Sequence, residues 1–160
     1  MSVRIKDTDK GFARLLREVA PLGRGAGLTV GIHAQEGAQA HSSEGGRELT
    51  IVEVAAFNEF GLGVPERSFI RAWFDEGKTA NHDALRLIVT RIMKGEIKAA
   101  EALEQLGLKF VGGVQQRIAR GINPPNAPAT IARKNSSKPL IDKGQLRQAI
   151  VSKLTGKATP

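Results

Sequence analysis

Apolar residues recur three or four positions apart in several stretches of the chain, which is the spacing of one face of an α-helix. Near the start, Phe12, Leu15, Leu16 and Val19 predict an amphipathic helix over about 9–20. The same spacing predicts further helices at about 51–60, 78–93 and 97–120. Helices therefore account for much of the expected structure.

Local signals mark where these helices begin and end. Thr50 and Glu53 have the spacing of a capping box, and Gly61 suits the left-handed conformation that ends a helix. Four glycines fall in or beside the two later helices: Gly95, Gly107, Gly112 and Gly113. A glycine inside a helix costs about 1 kcal/mol relative to alanine. We therefore expect either a break or a close helix contact at these positions.

Other segments do not have helical spacing. Residues 28–32 predict a strand because β-branched side chains there are bounded by glycines. Residues 34–48 contain little that could be buried, which predicts an exposed, mobile loop. Near the end, 139–141 should be extended, and 145–154 has helical spacing. The alternative for this last segment is a helix to about Ile150 followed by an edge strand.

Residues 122–138 predict an extended basic arm. The arm contains three prolines, Pro124, Pro125 and Pro128. Proline fixes φ and disfavours helical backbone in the residue before it, so the arm should reach away from the preceding helix. Beyond the prolines, Thr130 can cap a single helical turn that ends at Lys134.

Together these elements predict an α+β fold, with a small, mainly antiparallel sheet packed against two or three helices and a projecting proline-rich arm. The 160 residues, 41% of them hydrophobic, suit a single domain over 1–160. The absence of cysteine excludes disulfides and thiolate metal sites. No apolar run approaches the roughly 18 residues of a membrane span, and the charged start lacks a signal core. We therefore expect neither membrane contact nor targeting.

Positive charge is concentrated in the last third of the chain. Residues 107–160 contain ten Lys and Arg against one acidic residue, Asp142, whereas 1–106 contain 14 Lys and Arg against 15 Asp and Glu. Clustered cations repel one another unless a counter-charge is near. The asymmetry therefore indicates contact with phosphates or with an acidic protein surface. A solvated basic tail is the alternative.

Few residues are arranged as catalysis would require. His33, His41 and His82 lack the helical i, i+4 spacing of a zinc site. The glycine-rich run 23–27 precedes a predicted strand, whereas a dinucleotide-binding loop follows one. The serines in predicted loops lack the strand–turn–helix context of a nucleophile. We therefore expect no enzyme activity, no metal site and no cofactor.

Two separated blocks of sequence have a recognisable order. The first contains Phe57-Asn58-Glu59-Phe60-Gly61 and then Val64-Pro65-Glu66-Arg67-Ser68-Phe69-Ile70-Arg71. The second runs from the prolines through Thr130-Ile131-Ala132-Arg133-Lys134 to Pro139-Leu140-Ile141-Asp142 and Gly144-Gln145-Leu146. Together they resemble a family of long-tailed phage neck and tail-completion proteins, to which the lambda minor tail protein Z is related. The resemblance spans roughly 52–150.

This resemblance implies a structural virion protein of the head–tail junction, assembled in the host cytoplasm. Such a protein completes the tail and forms a homo-oligomeric ring, a hexamer or dodecamer, around the genome channel. The implied partners are phage head-connector and tail proteins, with transient, non-specific contact with genomic DNA. The residues expected at a subunit or partner interface are Arg67, Phe69, Arg71, Pro124, Pro125, Pro128, Arg133, Lys134 and Lys138. Those expected to contact DNA or an acidic surface are Arg117, Arg120, Lys143 and Arg147.

For several of these residues, a role within their own chain is an alternative to contact with a partner. Arg67 and Arg71 can pair across a subunit boundary or form ion pairs with nearby acidic residues such as Glu66. Arg117 and Arg120 end a predicted helix, where cations stabilise the negative end of the helix dipole. Their binding role and their helix-stabilising role are both open on sequence grounds.

Two other functions also remain open. A sequence-independent DNA-binding protein would use the basic end to neutralise phosphates, with an affinity that falls steeply with salt. The single Trp and the absence of Tyr would serve base stacking poorly. A tail-terminator ring subunit is the second alternative, because ring proteins of that region share an α+β plan.

Overall fold

A computed structural model describes residues 10–25, 27–44, 47–134 and 137–156. Asp9, at the expected start of the first helix, lies outside the described residues. The helices are α1 (Lys10–Gly23), α2 (Ala34–Gly37), α3 (Ile51–Phe60), α4 (Arg71–Glu76), α5 (Lys78–Lys94), α6 (Ala99–Arg120), α7 (Pro128–Lys134) and α8 (Gln145–Gln148). The strands are β1 (Gly27–Ile32), β2 (Ala40–Glu44), β3 (Arg47–Thr50) and β4 (Ile150–Thr155).

The fold is α+β, as the sequence predicted, with its strands in two antiparallel pairs. β1 pairs with β4, from Gly27 opposite Thr155 to Ile32 opposite Ile150. β2 pairs with β3. The prediction of a helix to Leu154 is wrong, and the alternative with a closing strand is confirmed. The physical reason is that Ile150 and Val151 are β-branched, which favours extended backbone, and that the strand paired with β1 buries Ile150 completely.

Helix α6 packs across the β1–β4 pair and supplies the centre of the core. Four residues at a spacing of four are buried along it: Leu106, Phe110, Val114 and Ile118. The helix is not broken by its glycines. At Gly107 an added Cβ would come 2.6 Å from the Ser152 hydroxyl of β4, so the close contact there is with a strand. At Gly113 the expected close contact with another helix is found, because an added Cβ would overlap the Trp73 ring of α4.

Helix α3 begins and ends where the sequence indicated. The Thr50 backbone N–H donates to a Glu53 carboxylate oxygen at 2.9 Å, and the Glu53 N–H donates to the Thr50 hydroxyl at 3.4 Å. Gly61 ends the helix with a φ of 69°, in the left-handed region that favours glycine. The capping box places Ile51, which is 1% exposed, at the start of a helix that faces the core.

The prediction that 34–48 is a loop is wrong, although most of its described side chains are exposed, as expected. This segment forms α2 and the β2–β3 pair, although Gly45 and Gly46 between the two strands lie outside the described residues. The small side chains that indicated a loop also permit close packing. Gly37 is buried, and a Cβ there would come 2.9 Å from the Cβ of Val52 in α3. This contact of Gly37 with α3 joins two segments that a local pattern does not connect.

The prediction that the arm over 122–138 reaches away from the preceding helix is wrong for its first residues. The Arg67 side chain binds the backbone at Pro124 and Pro125, and Asn126 is buried, so the chain folds back onto the body instead of reaching away. The expected turn before Lys134 is a longer helix, α7. The following segment 139–141 is a turn and not extended, because buried Leu140 has a φ of 63°.

Candidate subunit interface

Arg67 connects the two blocks of sequence described above. Its Nε donates to the Pro124 carbonyl at 2.8 Å, one terminal nitrogen donates to the Pro125 carbonyl at 3.1 Å, and the other donates to the Asn58 side-chain oxygen at 3.4 Å. The residue is only 8% exposed. Burial lowers the pKa of Arg67, but an arginine remains charged at neutral pH. Its hydrogen bonds are therefore charge-assisted and hold the start of the arm.

Glu59 organises the loop between α3 and α4 from inside the protein. Its buried carboxylate accepts from four donors on the next segment: the Ser68 hydroxyl at 2.7 Å, Phe69 N at 2.8 Å, Ile70 N at 3.2 Å and Arg71 N at 2.9 Å. These backbone donors lie at the start of α4, where N–H groups lack partners within the helix. A negative charge also suits the positive end of the helix dipole. Glu59 therefore fixes where α4 begins.

Arg71 and Phe69, both expected at an interface, have different environments. Arg71 forms an ion pair with Glu66 in which both side chains are about half exposed. Its guanidinium carbon lies 5.5 Å from the centre of the Phe60 ring. Phe69 is 0% exposed and belongs to the core, so the expectation that it contacts a partner needs correction. Burial of such a side chain contributes about 1.5–3 kcal/mol, which explains its place in the motif.

Arg117 is held within its own chain. It donates to both carboxylate oxygens of Glu76 and, from Nε, to the Ser68 carbonyl at 3.3 Å. The hydrogen bond from Arg117 lowers the pKa of Glu76 below its ordinary value of 4.5. Much of the charge of Arg117 is therefore neutralised locally, and its predicted contact with DNA stays a prediction.

Four further basic residues of the expected sites are exposed, and two of them contact α6. Arg120 is exposed, and Lys138 donates to the Ala119 carbonyl at 3.1 Å. Lys143 and Arg147 are exposed, and the Gln115 side chain of α6 donates to the Arg147 carbonyl at 3.1 Å. These contacts bring the arm and α8 back to α6. Cations at a helix C-terminus also stabilise the helix.

The remaining residues of the expected interface lie on the arm itself. The side chains of Pro124, Pro125 and Pro128 are exposed. Arg133 and Lys134 end α7, and their side chains lie outside the described part of the chain. The structure thus brings Pro124 and Pro125 beside buried Arg67 and places Pro128 at the start of α7, while the interface role of each stays a prediction.

An exposed apolar ridge, which the sequence analysis did not predict, follows α3. It consists of Phe60, Leu62 and Val64, which are 59%, 54% and 38% exposed. Glycines separate these three side chains in the sequence Phe-Gly-Leu-Gly-Val. Apolar residues that alternate with glycine in a loop would have been a usable signal, because nothing in such a loop can bury them locally.

A groove lies beside the C-terminal end of α4. It has a volume of about 540 Å³ and is lined by residues of α4, of the last turns of α6 and of the start of the arm, among them Trp73, Gly113, Gln116, Arg120 and Ile122. The Trp73 ring packs against Gly113, where an added Cβ would overlap it. We call this the Trp73 groove. Its lining is mostly polar, with one aromatic residue, Trp73, and one aliphatic residue, Ile122, among charged, amide and glycine residues.

Within the described ranges, no three His, Cys, Asp or Glu side chains are placed to share a metal ion. None of the helices described has the length and apolar character to cross a membrane. No family model, curated protein or solved structure matches the chain.

Proposed function

We propose that the chain is a structural virion protein of the phage head–tail junction, which completes the tail and assembles as a ring around the genome channel. The observation that carries the proposal is the contact between the two resembling blocks. Arg67 of the first block binds the backbone of Pro124 and Pro125 at the start of the second. If the two blocks of sequence together form one structural element of such a protein, they are expected to contact each other, as they do through Arg67.

The buried polar groups of this unit support an assembly role rather than catalysis. The Glu59 carboxylate accepts four hydrogen bonds from donors of the next loop, so both of its oxygens are used to hold that loop. Glu76, whose pKa is lowered, is held by Arg117. A general base would instead need a pKa near neutral pH. These groups hold the structure and leave its outer surfaces for partners.

The apolar ridge also supports a protein partner. Exposed apolar residues scattered singly are ordinary on a protein surface. Three within five residues of one loop, beside an exposed ion pair, are more typical of a contact surface. Rings are closed by heterologous contacts between two different surfaces of the chain.

The test is the oligomeric state of the purified chain. Mass would be measured by light scattering and shape by negative-stain imaging, at low and high salt, with and without duplex DNA. Rings that form without DNA are the expected result. A chain that stays monomeric in every condition would argue against self-assembly, even at high protein concentration.

A second candidate is a sequence-independent DNA-binding protein. The observation that favours it is the exposure of Arg120, Lys143 and Arg147, which all belong to the basic last third of the chain. Binding through phosphates would weaken steeply with salt. A monomer that changes mass only with DNA at low salt would favour this candidate over the ring.

A further inference from the structure

We propose that the Trp73 groove binds a short peptide segment of a partner protein, one that presents a single carboxylate next to an apolar side chain. The volume of the groove, about 540 Å³, lies in the range of ligand-binding clefts. The inference goes beyond the proposed function, because a peptide can occupy the groove whether or not the chain assembles into a ring.

The groove has one more cation than it has carboxylates. Its charged residues are Glu76, Arg117 and Arg120. Arg117 donates to both carboxylate oxygens of Glu76, so these two charges neutralise each other. Arg120 is exposed, and it forms no ion pair within the part of the chain that the structure describes. An unpaired guanidinium presents its N–H donors in a plane that matches the two oxygens of a carboxylate.

The surroundings of Arg120 favour a peptide carboxylate over the phosphates of a nucleic acid. The groove lies at the C-terminal end of α6, where the last carbonyl groups form the negative end of the helix dipole. The largely exposed Glu76 carboxylate also lines it. A run of phosphates would meet both negative groups, whereas one carboxylate needs only Arg120. Helix-end carbonyls are also acceptors for the N–H groups that a peptide has and a phosphate lacks.

Two side-chain amides extend the polar part of the groove. Gln116 and Asn123 both line it, and both are exposed. A side-chain amide can donate and accept, so these residues can bind the main chain of a peptide whatever its sequence. Between them lies Gly121, and nothing is found within 4 Å of the position that its Cβ would take. The absence of a side chain there leaves the backbone open to a close approach.

Trp73 provides a fixed apolar wall beside these polar groups. Its ring has edge-to-face contacts with Phe74 and Phe110, at ring-centre distances of 4.8 Å and 5.5 Å, and it packs against Gly113. The wall therefore exists before a ligand arrives, which reduces the cost of ordering on binding. Ile122 adds a second apolar surface. An apolar side chain next to the bound carboxylate would be removed from water here, which is favourable.

The experiment uses Trp73 as its reporter. The chain contains one Trp and no Tyr, so its fluorescence emission follows this one side chain. The probe is the blocked peptide acetyl-Gly-Leu-Glu-Gly-amide, added to the full chain up to millimolar concentration. The same peptide with Gln or Lys in place of Glu, inorganic phosphate and a short duplex DNA are the matched comparisons. Saturation-transfer NMR on each peptide would detect binding that leaves the emission unchanged.

We expect saturable binding of the glutamate peptide, and binding of the glutamine peptide that is weaker by about fivefold or more. Arg120→Gln should weaken binding of the glutamate peptide by a similar factor. Arg120→Glu should reverse the preference, so that the lysine peptide binds more tightly than the glutamate peptide. Arg147→Gln removes an exposed cation outside the groove and should leave the affinity unchanged. Circular dichroism would verify that every variant is folded.

Three results would overturn the inference. Equal affinity for the glutamate and glutamine peptides, or wild-type binding by Arg120→Gln, would show that the carboxylate does not pair with Arg120. Tighter binding of phosphate or duplex DNA than of the peptide would assign the groove to another class of ligand. No binding of the glutamate peptide by either measurement would show that the groove takes no such segment. Each of these results can occur with or without ring formation, so the proposed function is tested separately.

Discussion

The Arg67 Nε lies 2.8 Å from the carbonyl oxygen of Pro124, which is 57 residues further along the chain. This hydrogen bond joins the loop before α4 to the start of the arm. Because Arg67 is buried, its loss would leave the Pro124 and Pro125 carbonyls without their donor. The relationship makes Arg67 a structural residue whether or not the arm contacts a partner.

Replacement of Arg67 by methionine should therefore destabilise the protein by about 2–4 kcal/mol, because several charge-assisted hydrogen bonds are lost at a buried position. Urea unfolding would measure the change. Limited proteolysis should also show faster cleavage near 123–126. Arg71→Met is the matched control, with an expected cost of about 1 kcal/mol or less because its ion pair is exposed. Equal costs for the two variants would contradict the prediction.

Replacement of Glu59 by glutamine should destabilise the protein by about 2–4 kcal/mol. The amide keeps the shape of the side chain but presents a donor where the start of α4 also presents donors, so at least one buried N–H loses its partner. Thermal and urea unfolding would measure the loss. Glu104→Gln, at an exposed position on α6, should change stability by about 0.5 kcal/mol or less.

Two adjacent glycines of α6 should respond in opposite directions to alanine. Gly113→Ala should destabilise by about 1–3 kcal/mol, because the new methyl group would overlap the packed Trp73 ring. Gly112→Ala should stabilise by about 0.5–1 kcal/mol, because nothing lies within 4 Å of the new methyl group and alanine is the better helix former. Stabilisation by both changes in urea unfolding would show that Trp73 moves aside freely.

The Arg117–Glu76 pair should contribute to stability in a pH-dependent way. Arg117 lowers the folded-state pKa of Glu76 below 4.5. A carboxyl whose folded-state pKa is below its unfolded value stabilises the fold above the unfolded pKa, and this contribution is lost as the pH falls through the folded-state pKa. Glu76→Gln should therefore lower the melting temperature near pH 7, and its difference from wild type should shrink below about pH 4.

The control for this prediction is the Arg117→Met background. With the guanidinium removed, Glu76→Gln should have little effect at any pH, because the group that lowers the Glu76 pKa is gone. If Glu76→Gln lowered the melting temperature by the same amount at pH 7 and at pH 3, the pH dependence could not come from the Arg117–Glu76 pair.

The candidate interface could be predicted only in part. The sequence indicated the arm and its prolines, because proline restricts backbone wherever it occurs. It did not distinguish a surface role from a buried one for Phe69 or Arg67, since both lie in a short segment without clear periodicity. The apolar ridge was missed for the opposite reason. Its side chains look like core residues until the fold shows that nothing covers them.

Features that depend on near neighbours were determined by the sequence alone. The Thr50–Glu53 capping box, the Gly61 stop and the helix over about 97–120 all follow from residues within a few helical turns of one another. The pairing of β1 with β4, the β2–β3 pair and the return of the arm onto Arg67 were decided only in the tertiary structure. They join residues far apart in the chain, whose burial and hydrogen bonding exist only once the α6 core has formed.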